Sequence, residues 1–416
     1  MNIIASQLSR HVEISNRLRD VVLWYLISLM VKAPKHSLSF ASQLSGLHKS
    51  QFSRLLSKSR EIALSNLDKL IRIVTLDFLS SRDPILPGAP WSVAIVIDAT
   101  IQKRSSRKAR NAQIFNHGKG YVVGHQWTNI ILIINGITIP LKPIKFLTKS
   151  ERTARRLKKE TEHECVIRYL EMLNLISIIG LHRCSEVIVL MDAGYDNKKI
   201  QSTIIDKGWD FICSLKCSRS VKTKYEEKNG YLSRRVDNIF WACRKRAPWQ
   251  TVRDHVNSWK GKKRKEFRAR ELLGYLSGVK HCVKLVFSEE RGRRKGRKYM
   301  ACSNINVHLG LVVRVYRKRW AVELFHKDVK SSLGFEDVSC HDFASVEAHV
   351  YWVYCAYMLM RILFPNHSSL TDCMDKIEAE IAKQPFLEIR QRLTRFNGNE
   401  SAKLYCSQVI ESNLAA

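Results

Sequence analysis

The sequence predicts a mixed α/β fold, a sheet flanked by helices, with a β-rich insertion late in the chain and a helical segment at its start. Three observations predict it. Two apolar runs of strand length, WSVAIVIDAT and SEVIVLMDAGYDN, each lead into an aspartate, Asp98 and Asp192. Two β-rich runs in HQWTNIILIINGITIPLKPIKF meet at Asn135-Gly136, a strong hairpin signal because both residues tolerate positive φ. Helical periodicity fills residues 1–85 and returns after residue 306.

Taken in order, residues 1–85 alternate polar and apolar residues at helical spacing. Within them LSFASQLSGLHKSQFSRLLSKS holds two short helical patterns around Gly46, so a helix-turn-helix is expected over 38–59. Phe40, Ala41 and Leu44 would face Leu47, Phe52, Leu55 and Leu56. The second helix would offer His48, Lys49, Gln51, Ser53 and Arg54 to DNA, although any small helical bundle carries a similar pattern. SRDPILPGAP, with three prolines and a glycine, reads as a linker over 81–90. The strand ending at Asp98 and the Asn-Gly hairpin follow it. Residues 150–179 read as one helix that sets Arg152, Arg155, Arg156 and Lys159 on a single basic face. A solvated face explains these charges, but only Glu151 and Glu160 lie nearby to balance them, so the face could also track phosphates. The strand before Asp192 and a further strand, WDFICSLK, come next.

Residues 218–305 change character to basic, with short alternating runs, Trp241, Trp249 and Trp259, and a basic loop RGRRKGRKY at 291–299. They form the β-rich insertion. SVEAHVYWVYCAYMLMRILF is apolar nearly all round and reads as a buried helix. The tail, 366–416, reads as helical and polar. The resulting division is 1–85, 90–217, 218–305, 306–365 and 366–416.

Composition narrows the partner. The chain has 416 residues, with 70 Lys plus Arg against 38 Asp plus Glu, a net charge of +32. Such an excess repels itself in the folded state and suits a polyanion, nucleic acid or an anionic membrane. No apolar run reaches the roughly 18 residues that span a bilayer. No amphipathic helix sets large apolar side chains opposite a basic face, which counts against a membrane surface. The N-terminus lacks the basic-then-apolar order of a signal peptide. Eleven cysteines, an odd number without paired CxxC knuckles, read as reduced thiols in a cytoplasm rather than zinc ligands or disulfides.

The chemistry is expected from three acids. Asp98 and Asp192 follow runs that would be buried on both faces, where a carboxylate is costly unless paired or coordinating a cation. If their strands are neighbours the two repel, and a hard divalent ion, Mg²⁺ or Mn²⁺, relieves that repulsion. Each aspartate alone could instead cap a turn. The third acid, Glu323, lies in LVVRVYRKRWAVELFHKDVKSSLGFED with Tyr316, Arg319 and Lys330. On one continuous helix these four fall within a stripe roughly 60° wide. Val313, Trp320 and Leu324 on the other side read as core. Alone, the stripe reads first as a solvated face with an Arg–Glu pair.

With these residues in view, the chain resembles the DDE transposases of bacterial insertion sequences, in the insertion-sequence-four group. The resemblance covers roughly residues 90–365. Its specific part is the Y-x2-R-x3-E-x6-K signature, met by Tyr316, Arg319, Glu323 and Lys330, with Asp98 and Asp192 at the positions of the first two acids. It implies a ribonuclease-H-like core in which Asp98, Asp192 and Glu323 hold two Mg²⁺ or Mn²⁺ ions. It implies that Tyr316, Arg319 and Lys330 bind phosphates near the cut. Cleavage at element ends and strand transfer into target DNA would follow, by cut and paste. In relatives a DNA hairpin with a flipped base stacks on an insertion tryptophan, and Trp241, Trp249 and Trp259 are available here. The implied partner is double-stranded DNA, bound by a dimer or higher oligomer, with no membrane and no small-molecule substrate. The implied setting is a bacterial cytoplasm, at the nucleoid. A ribonuclease-H-like nuclease without strand transfer and a catalytically silent DNA-binding relative are the alternatives.

Overall fold

The apolar runs that end in aspartate form the centre of a sheet, and everything else is arranged around it. The computed structural model describes residues 3–78, 83–106, 108–116, 120–180, 186–225, 230–242, 245, 247–253, 266–290, 297–365 and 369–382. Trp259, Cys184, Cys243, Cys406, residues 291–296 of the basic run and residues 383–416 of the tail lie outside the described residues.

Five helices lead the chain: α1 (Ile3–His11), α2 (Arg19–Met30), α3 (Leu38–Ser45), α4 (Lys49–Lys58) and α5 (Arg60–Phe78). The turn between α3 and α4 falls at Gly46, whose φ of 75° suits a residue without Cβ. Ser37 caps α3 by accepting from the Phe40 amide. Ala41, Phe52, Leu55 and Leu56 are buried between the pair, and His48, Lys49, Ser53 and Arg54 are exposed while Gln51 is half-buried. Ile85 and Leu86, in the segment read as a linker, are buried in the common core.

The first strands are β1 (Val93–Lys103), β2 (Gln113–Asn116), β3 (Tyr121–Ile134), β4 (Ile137–Pro140) and β5 (Ile144–Lys145). β3 and β4 turn through Asn135 and Gly136 at φ of 49° and 80°. The single helix expected over 150–179 is three: α6 (Lys149–Ala154), α7 (Glu162–Met172) and α8 (Ile176–Ile179). Arg156 at φ 55° and a capping box between Thr161 and Glu164 separate the first two. Then come β6 (Val187–Met191), α9 (Lys198–Asp206) and β7 (Asp210–Leu215). Residues 218–305 supply β8 (Ser220–Tyr225), β9 (Gly230–Arg235), α10 (Val236–Ala242), β10 (Gln250–Arg253), β11 (Glu266–Leu276), β12 (Cys282–Glu290) and β13 (Lys298–Cys302). The last helices are α11 (Leu309–Tyr316), α12 (Trp320–Ser332), α13 (Phe343–Leu363) and α14 (Leu370–Ala382).

All thirteen described strands belong to one mixed sheet, ordered β2-β3-β1-β6-β7-β13-β12-β11-β8-β9, with β4 and β5 on β3 and β10 on β11. β1, β6 and β7 run parallel, and β1 is antiparallel to β3. β7 also pairs antiparallel with β13, so the strands of the insertion extend the central sheet. This mixed sheet flanked by helices, with helices at the start of the chain, is consistent with a ribonuclease-H-like transposase fold. No helix among the described residues is long and apolar enough to cross a membrane. The eight described cysteines are free thiols.

α13 is buried over most of its length, as its composition predicts, and packs against α2, α4 and α5. Its polar side chains are therefore tied off. Trp352 donates to the Ser59 hydroxyl at 2.9 Å. His349 meets the Tyr25 hydroxyl at 2.7 Å and the Gly334 carbonyl at 3.0 Å. Burial holds His349 and His125 down to about 4 and His326 to about 3. These three rings stay neutral in the folded chain while the unfolded chain protonates near pH 6.5. Their contribution is intact above that pH and is lost as pH falls toward 4, at up to about 1.4 kcal/mol per pH unit for each ring. Urea unfolding at a series of pH values is expected to show this decline, and His349→Gln to lessen its slope.

Candidate active site

Parallel pairing brings the first two acids together. β1 and β6 run in register from Val93 opposite Val187 to Ile97 opposite Met191, and the next residue in each case is the aspartate, Asp98 within β1 and Asp192 just past the end of β6. Neighbouring strands lie about 4.8 Å apart, so the two carboxyl groups leave the sheet side by side. Asp98 is still within β1, facing Asn129 of β3. It accepts a hydrogen bond from the Ala99 amide at 3.1 Å. Asp192 ends its strand and caps a short 3₁₀ turn, Ala193–Tyr195, by accepting from the Gly194 amide at 2.8 Å.

The third acid arrives from α12, which packs on β1. The helix carrying the four-residue stripe is not continuous. A 3₁₀ turn, Arg317–Arg319, lies between α11 and α12. Trp320 and Leu324, read as core from the helical wheel, are 58% and 50% exposed, whereas Val313 is buried. A 3₁₀ turn winds about 120° per residue rather than 100°, so three such residues displace every later position by about 60°. α12 itself buries Val322, Phe325 and Val329, on the side of the helix away from Trp320 and Leu324.

Arg319 occupies the centre of the site. Its side chain, 13% exposed, lies 3.6 Å from the Asp98 carboxylate and hydrogen bonds to Glu323. Burial raises Asp98 to about 6; Arg319 opposes this, and Asp192 and Glu323 add to it. Those electrostatic effects tie Asp192 and Glu323 each to Asp98. Among the described residues no group of three His, Cys, Asp or Glu is already arranged to hold a metal ion. The donor set itself fits a hard divalent ion, being three carboxylates in a partly buried site, with Arg319 providing the balancing charge between two of them.

The other stripe residues have their own partners. Tyr316 is buried, which pushes its phenol up to about 12. Lys330 donates to the Ile101 carbonyl of β1 at 2.7 Å and lies 3.4 Å from Glu336. The basic face expected at 152–159 does not form. Arg152 is buried against Glu160, the Lys158 and Leu147 carbonyls and the Cys165 sulfur. Arg155 pairs with Glu151 at 2.6 Å and with Glu347 at 3.7 Å. Arg156 and Lys159 are exposed beyond the end of α6.

Several residues near the acids escape a sequence reading. Lys298, the first residue of β13, sits at the end of the basic run; it is exposed, with its ammonium 5.3 Å from the Tyr316 ring centre. Burial and Arg319 lower its pKa, while Glu323 and Asp192 act against that. The basic run gave no signal separating it from its neighbours in the sequence. Glu162 of α7 accepts from Gln126, Thr128 and Tyr195 at 2.7, 2.8 and 2.7 Å. Tyr195 lies in DAGYD just after Asp192, which was the available clue. Asn129, opposite Asp98, bonds to His326 at 2.6 Å and to the Tyr354 hydroxyl.

The two described tryptophans of the insertion lie elsewhere. Trp241 and Trp249 line a cavity of about 360 Å³ with Phe240, Phe287, Tyr299 and Arg270. Arg270, Phe287 and Tyr299 are register partners, so they share one sheet face, and Lys298, one residue from Tyr299, points to the other. The pocket therefore lies on the face away from the Lys298 side chain. A larger cavity, about 730 Å³ between α5, the β4–β5 connection and α7, includes none of the three acids.

Residues 92–359, well over half of the chain and including all three acids, match the family described as Transposase DDE domain. The chain belongs to this family, the class of DDE transposases, whose members act on DNA and generally use divalent metal ions. No curated protein matches the chain.

Proposed function

We propose that the chain is an insertion-sequence transposase of the insertion-sequence-four group. In this reading it cuts DNA at element ends and joins the freed end to a target by cut and paste. The observation that carries this reading is the meeting of Asp98 and Glu323 on the Arg319 guanidinium, with Asp192 following the parallel strand next to Asp98. Asp98, Asp192 and Glu323 would hold the ions, Mg²⁺ or Mn²⁺. When bound, such ions polarise the scissile phosphate and lower the pKa of the attacking hydroxyl or water.

The chain's own residues do the remainder. Arg319 offers a planar fork to phosphate oxygens, and Lys298 a point charge beside it. Asn129 and His326 support the β1 strand behind Asp98. Tyr316 walls the site below Lys298. Lys330 braces β1 three residues beyond Asp98 and reaches DNA only on leaving the Ile101 carbonyl. Lys49 and Arg54 on α4, with Arg156 and Lys159, are assigned to DNA backbone contacts on the strength of charge and exposure, and the neutral, half-buried Gln51 on its place in α4 alone. On this reading 1–85 engages the element end, 90–217 and 306–365 form the catalytic core, 218–305 is the insertion and 366–416 the tail. A DNA-bound dimer or higher oligomer in a bacterial nucleoid completes the proposal.

The deciding experiment supplies a duplex bearing a free 3′-hydroxyl element end, a supercoiled target and Mg²⁺. Joined product that disappears with EDTA is the expected result. Cleavage without joining, whatever end is supplied, would replace transposition with simple nuclease action.

A further inference from the structure

The Arg319 guanidinium lies between two of the carboxylates that the proposed function assigns to metal, 3.6 Å from Asp98 and hydrogen-bonded to Glu323. The inference below rests on that assignment. An arginine does not lose its proton in a protein, so it cannot leave these acids by becoming neutral. It can leave only by exchanging them for another anion. With an almost buried side chain, 13% exposed, it has little solvent to move into. Lys298 and Arg319 already repel one another, so a cation entering among the acids raises the cost of leaving Arg319 in place.

We propose that Arg319 is a positioning residue that exchanges anions, and that this exchange couples metal binding to DNA binding. In the free protein the guanidinium neutralises Asp98 and Glu323 and competes with a divalent ion for them. When DNA binds, a backbone phosphate accepts the guanidinium fork in place of the two carboxylates, and the acids are released to the ion. Metal and DNA then each strengthen the binding of the other, and by linkage the two effects are equal.

The test is Mn²⁺ titration by calorimetry of the full chain, with and without a short duplex of mixed sequence. In the wild type the duplex is expected to tighten Mn²⁺ binding about tenfold, within the usual range of coupling between sites. Arg319→Gln is expected to bind Mn²⁺ about tenfold more tightly without DNA, and to gain nothing further from the duplex. Arg319→Lys keeps a cation without the two-pronged bridge and is expected to fall between them. Arg168→Gln, which removes an exposed arginine paired with Glu160 in the cavity that holds none of the acids, is expected to keep the duplex dependence. A merely structural arginine predicts the reverse sign, because losing it would loosen the acids and weaken Mn²⁺ binding. Weaker binding in Arg319→Gln, or unchanged duplex dependence, overturns the inference. If Asp98→Asn and Glu323→Gln leave Mn²⁺ binding untouched, the metal assignment itself fails, and with it this coupling. If those two variants lose Mn²⁺ and Arg319→Gln does not gain it, only the coupling fails.

Discussion

Asp98→Asn is expected to abolish strand cleavage while making the metal-free protein more stable. The two effects have one cause. Burial, together with Asp192 and Glu323, raises the Asp98 carboxyl to about 6, against an ordinary value of 3.8. Ionising it in the folded chain at pH 8 therefore costs about 3 kcal/mol, an order-of-magnitude figure that the neutral amide avoids in part. The sign follows from the direction of the shift. Because the folded value is raised, the cost is absent below pH 4, grows between 4 and 6, and is complete above 6. Asp98 thus opposes one of the three buried histidines as pH falls. The loss of activity should be at least about a thousandfold, since a metal-ligand carboxylate contributes several kcal/mol to the transition state. Asp192→Ala and Glu323→Ala should lose as much, with DNA binding retained in all three. Full cleavage by the triple alanine variant would remove the acids from the mechanism.

Glu347→Ala is expected to destabilise the fold by about 3–5 kcal/mol, the usual result of removing one partner from a buried ion pair. Glu347 is fully buried on α13 and ion-paired with Lys145, with Arg60 at 3.4 Å and with Arg155 at 3.7 Å. Removing it leaves three cations facing one another. Burial already lowers the Lys145 pKa, and Glu347 opposes that lowering. The variant's deficit should therefore shrink as pH rises toward the ordinary lysine range, where Lys145 can become neutral. Urea unfolding at neutral and alkaline pH measures both the size and the sign. A loss below about 1 kcal/mol would place this cluster with exposed pairs.

Much of the architecture was legible in the chain because it depends on local patterns. VAIVID and VIVLMD could be read as buried strands, and Asn135-Gly136 as a hairpin, since each signal lies within a few residues of its effect. α13 was legible because few polar residues interrupt it. The failures share a different cause. Arg152 and Arg155 looked like an open basic face because a helical wheel cannot show where a chain stops. α6 ends at Ala154, and one of the charges that neutralises Arg155 comes from Glu347, far along the sequence. Trp320 and Leu324 were misplaced because apolar side chains lie on both sides of α12, and the side that is buried is that of Val322, Phe325 and Val329. Nor could spacing reveal that Arg319 would sit among the acids rather than beside them, because that depends on β1 meeting α12.

The pairing of β7 with β13 has a mechanical consequence. Backbone hydrogen bonds run from strand to strand without interruption between β2 and β9. A load applied to the strands of residues 218–302 is thus carried as shear through the ladder into β6 and β7, the strands behind Asp192. A swivel at that junction would require breaking the bonds that join Tyr299 through Cys302 to Ile212 through Leu215. The sheet can twist as one plate but cannot fold like a door.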